Sequence, residues 1–512
     1  MVPARIRDAM ISRLFLVLVL LGALASATTG TVAAPTNSPS FFGLTNLWTL
    51  HLTVSESDWR TLVSRGVVRR DFGGGGGGGW GDGSNPVERF LRGFAGNPSR
   101  ESRSSANSGE GSHYPWSQCT FEAAGQTLTN VAVRLKGVSS VARAPNGYKM
   151  PFKIDFNRGA KGRKFLGIEE LYLNNNVNDA TQMREALAYE LFRRAGLPAP
   201  RTAFARVYLT IPGKIEKQHL GLYTVVEAVE DDFLKRTLGA KEGLLLKPEM
   251  IRGLPYMGEN WDDYKERYHP KSEPAAADAK RFIEATQFIR EATPEQFGSG
   301  ISRYLEPEPF LRFVALNALL ANVDSFIGNG HNYYLFLGSA SRRLTFIPWD
   351  LNESFGMHPV SGPSRFQMQT SILRPNADGN PLVERFLADP AFGPKYRELC
   401  AQLLTNVFVP SRLSADIDLV TAVTRPVIFA ESRRARADFE RTILGTLKPD
   451  EGDTNQPRFD SEYAKVPYRP WSFPDQVEID NLPLKEWIRG RHANALDQLA
   501  GKVKSPRPRP RL

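Results

Sequence analysis

Cysteine is nearly absent, with Cys119 and Cys400 the two in 512 residues. They allow one intramolecular disulfide at most, which excludes a disulfide-stapled scaffold. With seven scattered histidines, the same scarcity argues against a structural zinc site. Long apolar runs are missing too. The run LFLVLVLLGAL (14–24) is too short for a comfortable membrane span, and nothing later resembles one. Neither sign of charge dominates: 65 Lys and Arg stand against 55 Asp and Glu. The net +10 is modest for this length, favouring phosphate-rich ligands or acidic surfaces slightly and selecting no specific nucleic acid. Seven consecutive glycines occur in DFGGGGGGGW (71–80), but no Gly-Lys-Ser/Thr follows, so a phosphate-binding P-loop is set aside for a flexible excursion. Stability must come from a large core, which a mature chain of about 480 residues can build.

What is present begins with an export signal. Arg5, Arg7 and Arg13 precede the apolar run, and the small residues Ala25-Ser26-Ala27 and Val32-Ala33-Ala34 follow it. That order predicts a signal peptide and linker over 1–34, cleavage near Ala27 or Ala34, and a mature protein secreted or held at the cell envelope. The folded region opens with the alternating strand LWTLHLTV (47–54). Composition divides the remainder into 41–230, carrying a Gly-rich insertion at 71–115, then 231–500, then a basic, proline-rich tail over 501–512 expected to be disordered.

Two stretches carry the chemistry, NVDSFIGNGHNYYLF (322–336) and FIPWDLNESFG (346–356). The preceding PFLRFVALNALLA (309–321) has a wide apolar face and predicts a buried helix. Residues 332–336 and 344–347 predict two short strands joined by a turn at 338–343, a hairpin that delivers Asp350 just past its second strand. An isolated loop Asp is more often a turn former or helix cap than a reactive group. Here two acids and two amides are expected to converge, which is the grouping phosphoryl transfer needs: one carboxylate to orient the attacking hydroxyl, another with an amide oxygen to hold Mg²⁺. Asp324 suits the first role, and Asp350 with Asn332 or Asn329 the second. Asp324 and Asn329 reproduce the five-residue spacing of the protein-kinase catalytic loop. The absence of His-Arg-Asp and Asp-Phe-Gly triplets excludes an ordinary kinase.

Further blocks extend the pattern: VRLKGVSS (133–140), YKMPFKIDF (148–156), LYLNNNVNDATQMREALAYELFRRAGLPAPRTAFARVYL (171–209) and HLGLYTVVEAVEDDFL (219–234). With the two loop stretches they make the region 128–356 resemble the CotH kinases, atypical kinase-like proteins named after a spore coat protein. The resemblance implies that Lys136, Ser139 and Ser140 lie in a turn over nucleotide phosphates, and that Lys149 or Lys153, expected on one face of the next strand, meets those phosphates. Lys149 is favoured, with Glu185 on the 183–190 helix as its partner. Glu227 would mark a hinge whose backbone meets adenine. One departure is Asn352, where many relatives carry an acid two residues after the metal aspartate.

The fold implied is α+β, an atypical two-lobed protein-kinase-like arrangement with a small mixed β lobe and a mostly helical C-terminal lobe. After an irregular stretch at 362–380, helices are expected over 382–407, 415–422, 427–447 and 484–499. The expected activity is transfer of the ATP γ-phosphate, with Mg²⁺ or Mn²⁺, to Ser/Thr of an exported or surface protein. The rival is an inactive kinase-like scaffold in coat or surface assembly. Polysaccharide binding, a third class, is suggested by little beyond export and eight scattered Trp residues, which more often fill cores.

Overall fold

A computed structural model of the chain describes residues 37–64, 114–137, 139–144, 147–359, 361–377, 379–444 and 482–508. The expected signal segment and nearly all of the expected Gly-rich insertion lie outside the described residues.

Seven strands close into a barrel in the order β1-β2-β3-β4-β5-β7-β6. They are β1 (Leu47–Thr53), β2 (Ser117–Ala123), β3 (Gln126–Leu135), β4 (Phe152–Asp155), β5 (Glu170–Asn174), β6 (Thr202–Ile211) and β7 (Ile215–Glu227). All pairings are antiparallel except the closing one, where β1 runs parallel to β6 from Leu47 opposite Phe204 to Thr53 opposite Thr210. The expected small mixed sheet is thus mixed but closed, which leaves no open edge for a foreign strand. Alternation sets the two faces: Leu171 and Leu173 point into the barrel core, and Tyr172 between them points outward to a second apolar cluster. Leu50, Phe121, Val133, Phe152 and Ile154 fill the interior, each contributing roughly 1.5–3 kcal/mol relative to exposure. Helix α1 (Glu56–Ser64) adds Trp59 and Leu62 to that core.

Helix α2 (Arg184–Arg194) packs on the outer barrel face. Its start is fixed by Asp179, which accepts hydrogen bonds from the backbone N–H of Met183 (3.0 Å) and Arg184 (2.8 Å) and pairs with the Arg184 guanidinium. Both side chains are buried. Past β7, β8 (Gly243–Leu246) joins the hairpin of β9 (Tyr333–Gly338) and β10 (Leu344–Pro348) as a sheet ordered β10-β9-β8. The hairpin matches the sequence expectation. β8 does not, because a four-residue Gly-Leu-Leu-Leu run carries no period of its own.

Helix α3 (Pro307–Leu319) is the buried helix expected before the hairpin; Pro sits in its first turn, and Phe310, Phe313, Val314 and Leu316 are in the core. The expected helix over 382–407 is two, α4 (Pro381–Ala388) and α5 (Phe392–Asn406). Asp389, followed by Pro390, ends the first and accepts from the N–H of Ala391 and Phe392 to begin the second. Conversely, α6 (Pro410–Glu431) runs through Pro426 without the expected break, held by buried Val420, Thr424, Val427 and Ile428. Helices α7 (Arg433–Leu444) and α8 (Leu484–Leu499) follow, and α8 packs on α3, α5, α6 and α7.

Cys119 and Cys400 are both free and buried, and burial pushes each thiol up to about 12, so neither is poised to react. The basic tail, expected to be disordered, is exposed over 501–504 but docks further on: the Ser371 N–H donates to the Pro506 carbonyl at 2.7 Å, and Pro508 is buried. A proline-rich strand keeps its carbonyls free for such bonds while restricting the chain beforehand. Among the described residues, no helix is long and apolar enough to cross a membrane.

Asp179→Ala is expected to lower stability by about 3–5 kcal/mol, because it strips the helix cap and leaves Arg184 buried without its carboxylate; urea unfolding followed by circular dichroism measures this.

Candidate functional site

The loop between α3 and β9 holds Asp324 with two amides. Asn329 Nδ2 donates to Asp324 Oδ1 at 2.9 Å and Asn332 Nδ2 to Asp324 Oδ2 at 2.8 Å, so each carboxylate oxygen has a fixed donor. Asn332 has a left-handed backbone (φ 54°), a conformation asparagine tolerates better than most residues, and its carbonyl accepts from the Trp349 N–H at 3.1 Å. That bond continues the β9–β10 ladder by one step and brings Asp350, also left-handed (φ 47°), out beside the same loop. The Asp350 N–H donates to the Tyr189 hydroxyl of α2 at 3.0 Å. The four residues expected to converge, Asp324, Asn329, Asn332 and Asp350, are brought together.

Glu185 and Tyr189, one helical turn apart on α2, face this loop pair together. Burial pushes the Glu185 carboxyl up to about 8, and the nearby charge of Asp350 adds to the effect. Lys136 and a hydrogen bond from Asn174 oppose it. Lys136, at the end of β3, donates to Asn174 Oδ1 at 2.5 Å, and Asn174 Nδ2 donates to Glu185 Oε2 at 2.7 Å. The ammonium also lies 5.2 Å from the Tyr172 ring centroid and 5.9 Å from that of Trp349. The lysine connected to Glu185 is therefore Lys136, and the connection runs through an asparagine.

Lys149 departs from expectation. It precedes β4 instead of lying on it, so it shares no strand face with Lys153, and it pairs at 2.5 Å with Glu431 at the end of α6. Glu431 also accepts from the Leu222 N–H at 3.2 Å, and its carboxylate lies where a Cβ on Gly221 (φ 102°) would sit, so only glycine fits there. Lys153 does lie on β4, paired with Glu170 at 2.7 Å and 5.3 Å from the Tyr172 centroid. Glu227 ends β7 with its carboxylate bound by Arg201 and Arg236, and its own N–H already donates to the Arg201 carbonyl. That backbone donor is spent. Ser139 and Ser140 open a four-residue helix, and the Ser140 carbonyl accepts from Asn175 Nδ2 at 3.2 Å.

Several site residues were not singled out from sequence. Each asparagine of the Asn174-Asn175-Asn176 run has its own partner: Asn174 bridges Lys136 and Glu185, Asn175 binds the Ser140 and Lys149 carbonyls, and Asn176 accepts from Thr224. Three consecutive amides in a strand-ending block are the sequence signal that marks them. Glu353, next to Asn352, lies within the field of both Asp324 and Asp350, which together with burial hold its carboxyl well above the ordinary range. His358, pushed down by burial, has Nε2 3.8 Å from Glu353 and Nδ1 2.5 Å from the Ser361 hydroxyl. Lys247, buried, stacks over Tyr334 and Trp349 at 5.7 and 5.8 Å.

Among the described residues, no three or more His, Cys, Asp or Glu side chains gather as a metal cage. A hard cation has another donor set here. Asn329 and Asn332 commit their nitrogens to Asp324, and the Asn329 Oδ1 is buried with no hydrogen-bond partner. A carboxylate with amide oxygens, completed by phosphate and water, suits Mg²⁺, which seldom uses an all-protein cage.

The raised Glu185 carboxyl sets a pH dependence. Between its ordinary value of 4.5 and about 8 the folded chain holds a proton that the unfolded chain has released, so stability is fullest below 4.5 and is lost as pH rises through 8. Glu230, raised to about 8 by burial and by Glu170, acts in the same direction. The unliganded protein is expected to lose thermal stability from pH 5 to 8.5, and Glu185→Gln to reduce the linkage by about one proton; melting followed across pH reads both.

The CotH kinase protein family model matches residues 133–443. Inner spore coat protein H of Bacillus subtilis (strain 168) is 23% identical over 287 residues, spanning 54% of this chain and 74% of that protein. The crystal structure of the Helicobacter pylori proinflammatory kinase CtkA aligns with 56% of this chain and 92% of its own at 11% identity and a TM-score of 0.22. The family match covers more than half of the sequence and both loops of the site, and the chain belongs to the CotH kinase family.

Proposed function

We propose that this chain is an active CotH-like protein kinase, with ATP bound between a barrel lobe and a mostly helical lobe, and that it phosphorylates Ser or Thr on exported or surface proteins. The observation that carries the reading is the convergence of Asp324, Asp350 and Glu185 with Lys136, each delivered by a different element. Asp324 orients the acceptor hydroxyl and takes its proton as the new oxygen–phosphorus bond forms and the bond to the β–γ bridging oxygen breaks, releasing ADP. Its two amide donors fix the direction in which the carboxylate faces. Mg²⁺ or Mn²⁺, held by Asp350 and the amide oxygens of Asn332 and Asn329, supplies charge neutralisation to the phosphate oxygens when bound. Lys136 is the lysine tied to this group, through Asn174 to Glu185, whereas Lys153 pairs with Glu170. Export rests on the leader over 1–34, and a place at a surface or coat is supported by the name of the Bacillus relative.

A non-catalytic scaffold is the second reading, favoured by Asn352, which brings no charge to the metal loop.

Calorimetry of the mature protein with ATP, with and without Mg²⁺, separates the two. Asp324→Ala is expected to bind nucleotide within about threefold of wild type while transfer falls about 10³-fold or more, and Asp350→Ala to lose the metal-dependent part of binding. No binding by the wild type would leave the scaffold reading standing. Lys136→Met is expected to weaken magnesium–ATP binding roughly tenfold or more, whereas Lys149→Met should leave affinity unchanged but destabilise the fold by about 2–3 kcal/mol, since Glu431, largely shielded from water, loses its cation. Identical affinities in the two lysine variants would reject the assignment of Lys136.

A further inference from the structure

The family match ends at residue 443, yet α8 (Leu484–Leu499) is built into the floor of the site. Arg491 on this helix is fully buried. Its guanidinium donates to four backbone carbonyls: Ala318 at 2.6 Å, Leu319 at 3.2 Å, Met368 at 2.8 Å and Thr370 at 2.6 Å. The first two are end carbonyls of α3, past the last i+4 donors of the helix, and Ala318 accepts in addition from the Ala321 N–H at 3.0 Å. The cation also sits at the negative end of that helix. A planar guanidinium with five donors can satisfy carbonyls from two segments at once, a geometry an ammonium cannot copy.

Both functional loops start from or return to this point. The Asp324 loop leaves α3 directly after Leu319, and the Asp350 loop comes back through the Phe355 N–H, which donates to the Leu320 carbonyl at 2.7 Å. Gly356 (φ 75°) follows, and a Cβ there would lie 2.3 Å from Trp487 Nε1, so α8 packs against bare backbone at the end of the metal loop. Trp487 Nε1 donates to the Ser364 carbonyl at 3.1 Å. Gln498 receives the Ile372 N–H at 2.8 Å and donates to the Thr370 carbonyl at 3.1 Å.

We propose that Arg491 is a positioning residue for phosphoryl transfer: by tying the end of α3 to the 368–370 segment it fixes where Asp324 and Asp350 stand relative to one another. The proposal rests on the kinase reading, but its structural half can be tested without turnover. Arg491→Lys keeps the charge and loses the fork. In the full-length variant, hydrogen exchange at 318–332 and 350–356 should quicken about tenfold or more while β1 to β7 keep wild-type protection. In the same variant, kcat should fall roughly 100-fold with magnesium–ATP affinity within about threefold of wild type. Unchanged exchange at those segments, or equal acceleration in the barrel, overturns the proposal, as does an unchanged kcat. A wild type inert in transfer removes the kinase reading alone, because exchange at 318–332 still reports whether Arg491 holds the loops. If Arg491→Lys does not fold, Gln498→Leu, which releases the Ile372 N–H and removes one of the two side-chain donors on the Thr370 carbonyl, serves with the same two readouts.

Discussion

The burial of Glu185 beside Asp350 is the interaction on which the arrangement of the site depends. Two acids close together in a poorly solvated place repel, and one of them keeps its proton unless cations intervene. Most of the surrounding structure answers that problem. Asn174 carries the influence of Lys136 to Glu185, the aromatic faces of Tyr172 and Trp349 hold the ammonium, and Asp179 with Arg184 fixes the helix on which Glu185 rides. Tyr189, a turn further on, reaches the backbone of Asp350. One helix thereby sets both the acid and the loop it opposes. The divalent cation proposed for this site would, once bound, favour the charged form of every carboxylate around it.

Much of this was legible in the sequence, and the limits have physical causes. The buried helix, the hairpin and the two acids follow from local periodicity and turn chemistry, and the structure has them within a few residues of expectation. The choice among lysines was not legible. Lys149 and Lys153 share a face only if both lie on the strand, but β4 begins at Phe152. The partner that decides the matter for Lys149 is Glu431, some 280 positions away at the end of a helix that local signals divided in two. Closure of the barrel was equally hidden, since β1 and β6 pair in parallel across about 150 residues with no connecting turn to announce it.

Glu353 qualifies what Asn352 implies. The amide at 352 leaves the loop short of a charge by position, yet a carboxyl one residue later sits within the field of Asp324 and Asp350. A count of acids at aligned positions misses it, whereas a count of acids in space does not.

The parallel seam between β1 and β6 also separates what is recognisable from what can fold. The family match begins at 133, inside β3, so a fragment cut to 133–443 would lack β1, β2 and most of β3 as well as α8. Such a piece has an opened sheet with two bare edges and an apolar interior facing water, the state that favours self-association. In the whole chain one edge of β1 pairs with β2, but its other edge waits until β6 has been made. A nascent chain therefore carries an open barrel seam through most of the barrel's synthesis, and the segment that the family model matches is smaller than the closed barrel.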